Sequence, residues 1–265
     1  APARVVRAET TRSGWLMQVE EHEQLHEQAT DLLIVADGGR SGLLEQLGIH
    51  RQVRPYGQTA IIANITSSQG HDGVAYERFT PNGPLALLPM SAGRSALVWT
   101  QPDAQVDEVM TLSDAAFLEA LQDAFGFRMG ALTRVGQRHA YPLSLIEAEE
   151  QVRTGLVVLG NAAHSLHPIA GQGFNLSLRD AMALADTLID APAHGAPGDL
   201  RLLEGYLDRQ RQDQQQTIAF SDGLTRLFSN RRPVLAAGRN LGLLGMDIVA
   251  PLKSVFARQA MGLKG

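Results

Sequence analysis

Residues 160–180 read GNAAHSLHPIAGQGFNLSLRD. They follow Gly155-Leu156-Val157-Val158-Leu159-Gly160, a short apolar run of the kind that parallel sheets bury on both faces. They lead into an amphipathic helical pattern over about 175–190. A strand that passes through small residues into a helix aims the helix's first amides at whatever occupies the loop. Such a site favours an electron-rich ligand. Gly171 and Gly173 permit close backbone approach, and Asn175 can cap the helix or bond a ligand through either end of its amide. A tight strand-to-helix crossover whose glycines serve packing accounts for the same residues equally well. A dinucleotide fingerprint does not fit, because the glycine pair follows a loop and Leu176 stands where a third glycine belongs.

The rest of the chain sorts into three patterns. Arg4–Arg7, Trp15–Val19 and Leu32–Val35 are short strand-like runs, the last ending in the turn Ala36-Asp37-Gly38-Gly39. The segments 59–65, 74–80, 85–90 and 95–100 are β-like, with Pro81-Asn82-Gly83-Pro84 between two of them. Asn-Gly is a hairpin signal because both turn residues tolerate positive φ, so the middle of the chain is expected to be an antiparallel sheet. Thr111-x-x-Asp114 offers a helix start, Phe117, Leu118, Leu121 and Phe125 share a helical face, and Gly126 ends it. Helical patterns then cover 199–230 and 233–261.

Composition narrows the function. The 265 residues are 44% apolar and 19% charged with a net charge of -5, which offers no basic footprint for nucleic acid. With no cysteine, disulfides, thiolate zinc sites, Cys-ligated clusters and thiol nucleophiles are excluded. The one long uncharged stretch, 154–178, is broken by glycines, a proline, asparagines and histidines, which argues against a membrane helix. His22-Glu23-Gln24-Leu25-His26 spells the zinc-protease motif, with Glu45 as a distant third ligand, but that motif needs a helix and its flanks read as strands joined by a charged turn. His164-x-x-His167 offers a metal or acid–base pair, or two residues lining the loop. Tyr76 and Arg78 offer a substrate-facing strand face or a solvated one. Arg231, Arg232, Arg239, Lys253 and Arg258, interleaved with Leu241, Leu243, Leu244, Ile248 and Val249, suit either an interfacial helix or one packed on a core.

Ala36-Asp37-Gly38-x-x-Ser41 resembles the Asp-Gly motif of the class A flavoprotein aromatic hydroxylases. Gly160-Asn161-Ala162-Ala163-His164, with His167-Pro168-x-x-Gly171-Gln172-Gly173-x-Asn175-Leu176-x-x-Arg179-Asp180, resembles their second flavin motif. Tyr76–Thr80, Leu88–Met90 and the run 228–246 look most like the 2-polyprenyl-6-methoxyphenol hydroxylases of ubiquinone biosynthesis. The resemblance implies FAD as cofactor, NAD(P)H as co-substrate and O2 as oxidant, with hydroxylation of a polyprenylated phenol. It places Gly160, Asn161, Pro168, Gly171, Gly173, Phe174 and Asn175 beside the flavin, in front of a helix beginning near Phe174, and Asp37 near its phosphate or ribose end. It assigns no catalytic base and no metal. Two positions depart from the family pattern: Asn161 replaces an aspartate, and Leu44 an arginine.

The implied fold is α/β: part of an FAD-binding parallel-sheet domain over 1–50 and 151–195, an antiparallel substrate domain over 51–150, and C-terminal helices over 196–265. The family's N-terminal strand–Gly-x-Gly-x-x-Gly–helix unit, which holds the ADP half of FAD, does not precede residue 1 in this sequence. At about 1.5–3 kcal/mol per charge-assisted hydrogen bond, a few lost contacts weaken binding by powers of ten. The expectation is therefore a fragment that is inactive alone and binds FAD poorly. The expected setting is cytoplasmic, with peripheral contact to the inner membrane. The expected partners are the prenylated phenol, a second copy through an unpaired apolar strand edge, or other ubiquinone-biosynthesis proteins. The competing readings are a zinc protease and a non-catalytic binding fragment.

Overall fold

A computed structural model describes residues 3–192 and 195–228. The third helical pattern, the basic and apolar positions between Arg231 and Arg258, and most of the run 228–246 lie outside them. The described residues divide into two compact units, one of residues 3–54 and 145–222, the other of residues 55–144 with the chain from Gly223.

The first unit opens with an antiparallel meander, β1 (Ala3–Thr10), β2 (Trp15–Glu21) and β3 (Gln24–Thr30). His22 and Glu23, at φ 50° and 65°, form a two-residue hairpin whose left-handed backbone matches the twist of the flanking strands. β4 (Leu33–Val35) follows, then the short helix α1 (Leu43–Gln46).

In the second unit, β5 (Arg51–Ser67) contributes all but its first four residues. β6 (Tyr76–Thr80), β7 (Gly83–Pro89) and β8 (Arg94–Pro102) join it in an antiparallel sheet of order β5-β8-β7-β6. Helices α2 (Asp103–Thr111) and α3 (Asp114–Phe125) come next, then β9 (Leu132–Val135), paired with β5, and β10 (His139–Ala148), the neighbour of β5 in the sheet. Alternate residues Ile61, Ala63 and Ile65 of β5, Leu85 and Leu87 of β7, and Leu97 and Trp99 of β8 form one buried face. Phe117, Leu121 and Phe125, one helical turn apart on α3, cover it. Trp99 meets Phe117 edge to face at 5.5 Å, and the Arg138 guanidinium lies 4.9 Å from the Phe117 centroid.

Two local expectations are corrected here. The hairpin between β6 and β7 turns on Pro81-Asn82, with Thr80 paired to Gly83, so Asn82-Gly83 does not occupy the two central positions. Pro81 supplies the fixed φ of a tight turn, and the Thr80 hydroxyl accepts from the Asn82 N–H at 3.2 Å. Gly83 is needed one place later, where φ is 130° and a Cβ would stand 2.7 Å from the Thr100 methyl. The cap of α3 is Ser113, which accepts from the Ala116 N–H at 3.2 Å, while Thr111 ends α2. Only Val106 of α2 is buried, so no apolar period announced that helix.

Back in the first unit, β11 (Val152–Arg153) and β12 (Leu156–Val158) form a three-stranded sheet of order β11-β12-β4. β12 runs parallel to β4 in the register Leu33–Leu156, Ile34–Val157, Val35–Val158. The short strand β13 (His164–Ser165) pairs with the end of β10, and helices α4 (Gln172–Ile189) and α5 (Leu200–Phe228) follow. Leu33, Val35, Leu156 and Val158 pack with Trp15, Leu43, Leu44 and Ile49 on one face of this sheet, and Val157 packs with Leu184, Leu203 and Tyr206 on the other. Leu44 is thus a core residue, consistent with the absence of an arginine there. β4 is the outer strand of this sheet among the described residues, and Ile34 is 41% exposed.

Replacing Phe117 with alanine should destabilise the chain by about 3–5 kcal/mol through cavity formation, whereas the half-buried Leu118 should cost well under that. Denaturant midpoints of the two variants at unchanged slope would show the difference.

Candidate functional site

The loops that follow β4 and β12 stand side by side because the strands are parallel neighbours: the Leu159 N–H donates to the Val35 carbonyl at 2.9 Å. A Cβ on Gly39 would lie 3.6 Å from the Cα of Ala162. Ligands of open α/β sheets bind beyond the carboxyl ends of such strands. Both segments singled out in the sequence therefore meet at one sheet end.

In the first loop, Asp37 accepts from the Gly39 N–H at 2.7 Å and from the Ser41 hydroxyl. Partial burial works to raise the Asp37 pKa, but these donors outweigh it and hold the carboxyl below its ordinary value. Asp37 therefore organises its own loop and keeps an exposed face. Arg51 braces the loop from outside the motif, donating through Nη1 to the Gly39 carbonyl at 2.8 Å and through Nη2 to Glu45 at 2.6 Å. Sequence reasoning missed Arg51, which lies twelve residues from Gly39.

In the second loop, a single turn of 3-10 helix over Gly160–Ala162 leads to β13, and a second over Ile169–Gly171 leads to α4. The helix starts at Gln172, two residues before the expected Phe174, because Gly171 at φ 63° serves as a left-handed N-cap that residues with a Cβ adopt at a cost. No side-chain hydrogen bond caps this end, and a Cβ on Gly171 would meet nothing within 4 Å. The second turn of α4 lies over the earlier turn, since a Cβ on Gly160 would be 3.8 Å from the Ser177 hydroxyl. Asn161, Pro168 and Gly171 are exposed, Gly160, Gly173 and Asn175 half-buried, and Phe174 is 74% exposed. The Asn175 amide makes no side-chain hydrogen bond among the described residues. Open space before Gly171, an uncapped helix start and a disengaged amide are what a ligand gaining negative charge needs.

Behind this surface His164 and His167 are buried. His164 hydrogen-bonds through Nε2 to Asp180 Oδ2 at 2.7 Å, and Gln214 donates to the same oxygen at 3.1 Å. Burial, then the Asp180 charge, raises the Tyr206 phenol above its ordinary range, keeping it protonated. Burial lowers the His167 pKa to about 4. No group of three metal-ligating side chains occurs among the described residues. The zinc-protease reading is overturned: His22 sits in the hairpin turn and His26 in β3, so no helix brings the imidazoles to one face. In the second unit, Tyr76 and Arg78 line a cleft of about 470 Å3 with Glu77, Phe125 and Arg128, and Arg78 is held by the Phe125 carbonyl at 2.9 Å.

A depressed His167 pKa makes acid destabilising. The unfolded imidazole takes a proton near pH 6.5 and the folded one only near pH 4, so this stability is complete above 6.5 and is lost as pH falls between those values. The loss should be roughly 3 kcal/mol, at 1.36 kcal/mol per pKa unit. A His167→Gln chain should lack that slope in unfolding free energy between pH 7 and 4. Metal analysis of the chain after exposure to zinc should find no tightly held equivalent, and His22→Ala should leave that result unchanged.

The profile of the FAD binding domain family matches residues 7–221. Among curated proteins, the chain is 41% identical over 232 residues to ubiquinone hydroxylase UbiL of Rhodospirillum rubrum, covering 87% of this chain and 54% of that protein. It is 31% identical over 259 residues to 3-demethoxyubiquinol 3-hydroxylase of Escherichia coli, covering 94% of this chain and 66% of that protein. The chain thus spans about half to two thirds of the length of these relatives. The fold is similar to that of p-nitrophenol 4-monooxygenase PnpA from Pseudomonas putida, with a TM-score of 0.80 at 17% identity, covering 99% of this chain and 67% of that one. A profile match over most of the chain, spanning both loops that meet at the ends of β4 and β12, shows that the chain belongs to the FAD binding domain family.

Proposed function

We propose that this chain is the greater part of an FAD-dependent aromatic monooxygenase that hydroxylates a polyprenylated methoxyphenol in ubiquinone biosynthesis, with NAD(P)H and O2 as co-substrates. One observation carries the reading: the Asp37–Ser41 loop and the 160–175 segment share one sheet end, with the uncapped start of α4 open to solvent. The named ubiquinone hydroxylases at 31–41% identity support the substrate class.

The residues present fit FAD. Asp37, Gly160, Asn161, Pro168, Gly171, Gly173, Phe174 and Asn175 would hold it. When bound, FAD supplies hydride acceptance and oxygen activation. The chain's share is to bind and orient. The amides at the start of α4 and the Asn175 side chain would stabilise negative charge on an edge facing them. Asn161 offers an amide where the family has a carboxylate, so it can hydrogen-bond without adding charge. Pro168 and Phe174 offer apolar faces beside these donors.

The first unit is read as the cofactor-binding portion and the second as the substrate portion. The outer position of β4 among the described residues supports one further part of the reading, self-association through a second copy. No helix among the described residues is long and apolar enough to cross a membrane. A cytoplasmic protein in peripheral contact with the inner membrane suits a lipid-tailed substrate.

Asn175→Ala should weaken FAD binding about tenfold, the worth of one hydrogen bond, with an unchanged thermal midpoint. FAD fluorescence titration of the chain, alone and extended to the length of its relatives, gives the affinity. The longer protein should show NAD(P)H oxidation that depends on a prenylated methoxyphenol. Oxidation indifferent to every phenol tried would sink the substrate assignment.

A further inference from the structure

The second flavin motif is built from two segments that face the same sheet end, and one buried bond joins what lies behind them. His164 begins β13, two residues after the Gly160–Ala162 turn. Asp180 lies on α4, just over two turns from its start. Both are 1% exposed, and Nε2 meets Oδ2 at 2.7 Å. A carboxylate and an imidazole sealed from water make a directional contact with no solvent substitute, so separating them is costly and their relative placement is tightly held.

The bond is also anchored on its far sides. The His164 strand is fixed to the end of β10 by pairing with Glu147, and the Ala148 N–H donates to the Ala163 carbonyl at 2.7 Å. Asp180 is fixed by Gln214 of α5, which exchanges two 3.1 Å hydrogen bonds with Gln151 ahead of β11. A one-turn slide of α4 would therefore break a chain of contacts running from β13 through α4 and α5 to β11. The buried leucines of α4, Leu176 and Leu184, offer only packing, which tolerates small shifts, while Arg179 and Thr187 tie α4 to α5 through Asp213 and Arg209 but do not reach β13.

We infer that His164 and Asp180 are positioning residues that lock the start of α4 to the Gly160–Ala162 turn, so that the Gly173–Asn175 amides and the Gly160–Asn161 backbone are presented together to the cofactor. This rests on the FAD reading for its ligand and stands independently for its geometry. Neither side chain touches the exposed surface, so their effect passes through the backbone.

Native-state hydrogen exchange on the whole chain tests the geometry without FAD. Asp180→Ala and His164→Ala should speed exchange at least tenfold in residues 160–164 and 172–176 together, while β7 and β8 keep wild-type protection. The conservative variants Asp180→Asn and His164→Gln, which keep the volume and a hydrogen-bonding group, should restore most of the protection and remain testable if the alanine variants fail to fold. Leu184→Ala serves as a packing control and should speed exchange across the first unit without singling out those segments. FAD titration of the same set should show at least tenfold weaker binding for the alanine variants and a changed visible circular dichroism of any flavin still bound. Faster exchange in one segment only, a rise no different from that of Leu184→Ala, or wild-type affinity and spectrum in variants whose loops exchange freely would each overturn the lock. If the wild-type chain takes up no FAD at any length, the cofactor reading fails while the exchange result still decides the lock.

Discussion

The parallel pairing of β4 with β12 is the constraint on which the first unit depends. Two three-residue strands supply few hydrogen bonds, and a parallel pair is stable only when both faces are covered. Here the meander covers one face through Trp15, and α4 with α5 covers the other through Leu184, Leu203 and Tyr206. Because the strands point the same way, their following loops emerge together, and a motif divided by about 120 residues of sequence becomes one surface.

That surface is assembled from backbone more than from side chains. Its glycines, alanines and proline keep bulk away, and no side chain caps the start of α4, which under the proposed reading leaves its amides to the cofactor. The precision of such a site comes from what stands behind it: Asp37 and Arg51 shape one loop, and the buried His164–Asp180 bond joins the two parts of the other. Charged and titratable groups thus act as scaffolding. The groups facing outward are amides and apolar faces, together with the exposed side of Asp37.

The second unit shows the same division between pattern and placement. Alternation along β5, β7 and β8 and the helical spacing of Phe117, Leu121 and Phe125 were readable as soon as the segments were found, since each pattern reflects which side faces the core. The turn at Pro81-Asn82 and the cap at Ser113 were not. Several residues there can initiate a turn or a cap, and the choice belongs to the strand register and to where α2 ends.

By itself, the sequence determined most of the strand and helix patterns, the glycine-rich approach to α4 and the absence of thiol chemistry, because each depends on local backbone freedom or on residue type; the eight residues expected around a flavin came from the family resemblance. Tertiary structure alone decided that Gly39 and Ala162 are neighbours, that Arg51 braces a loop it does not belong to, and that His164 finds Asp180. These are contacts across 12 to about 120 residues of chain. Their partners are set by the register of β4 on β12 and by the seating of α4, and neither leaves a mark on the residues that it brings together.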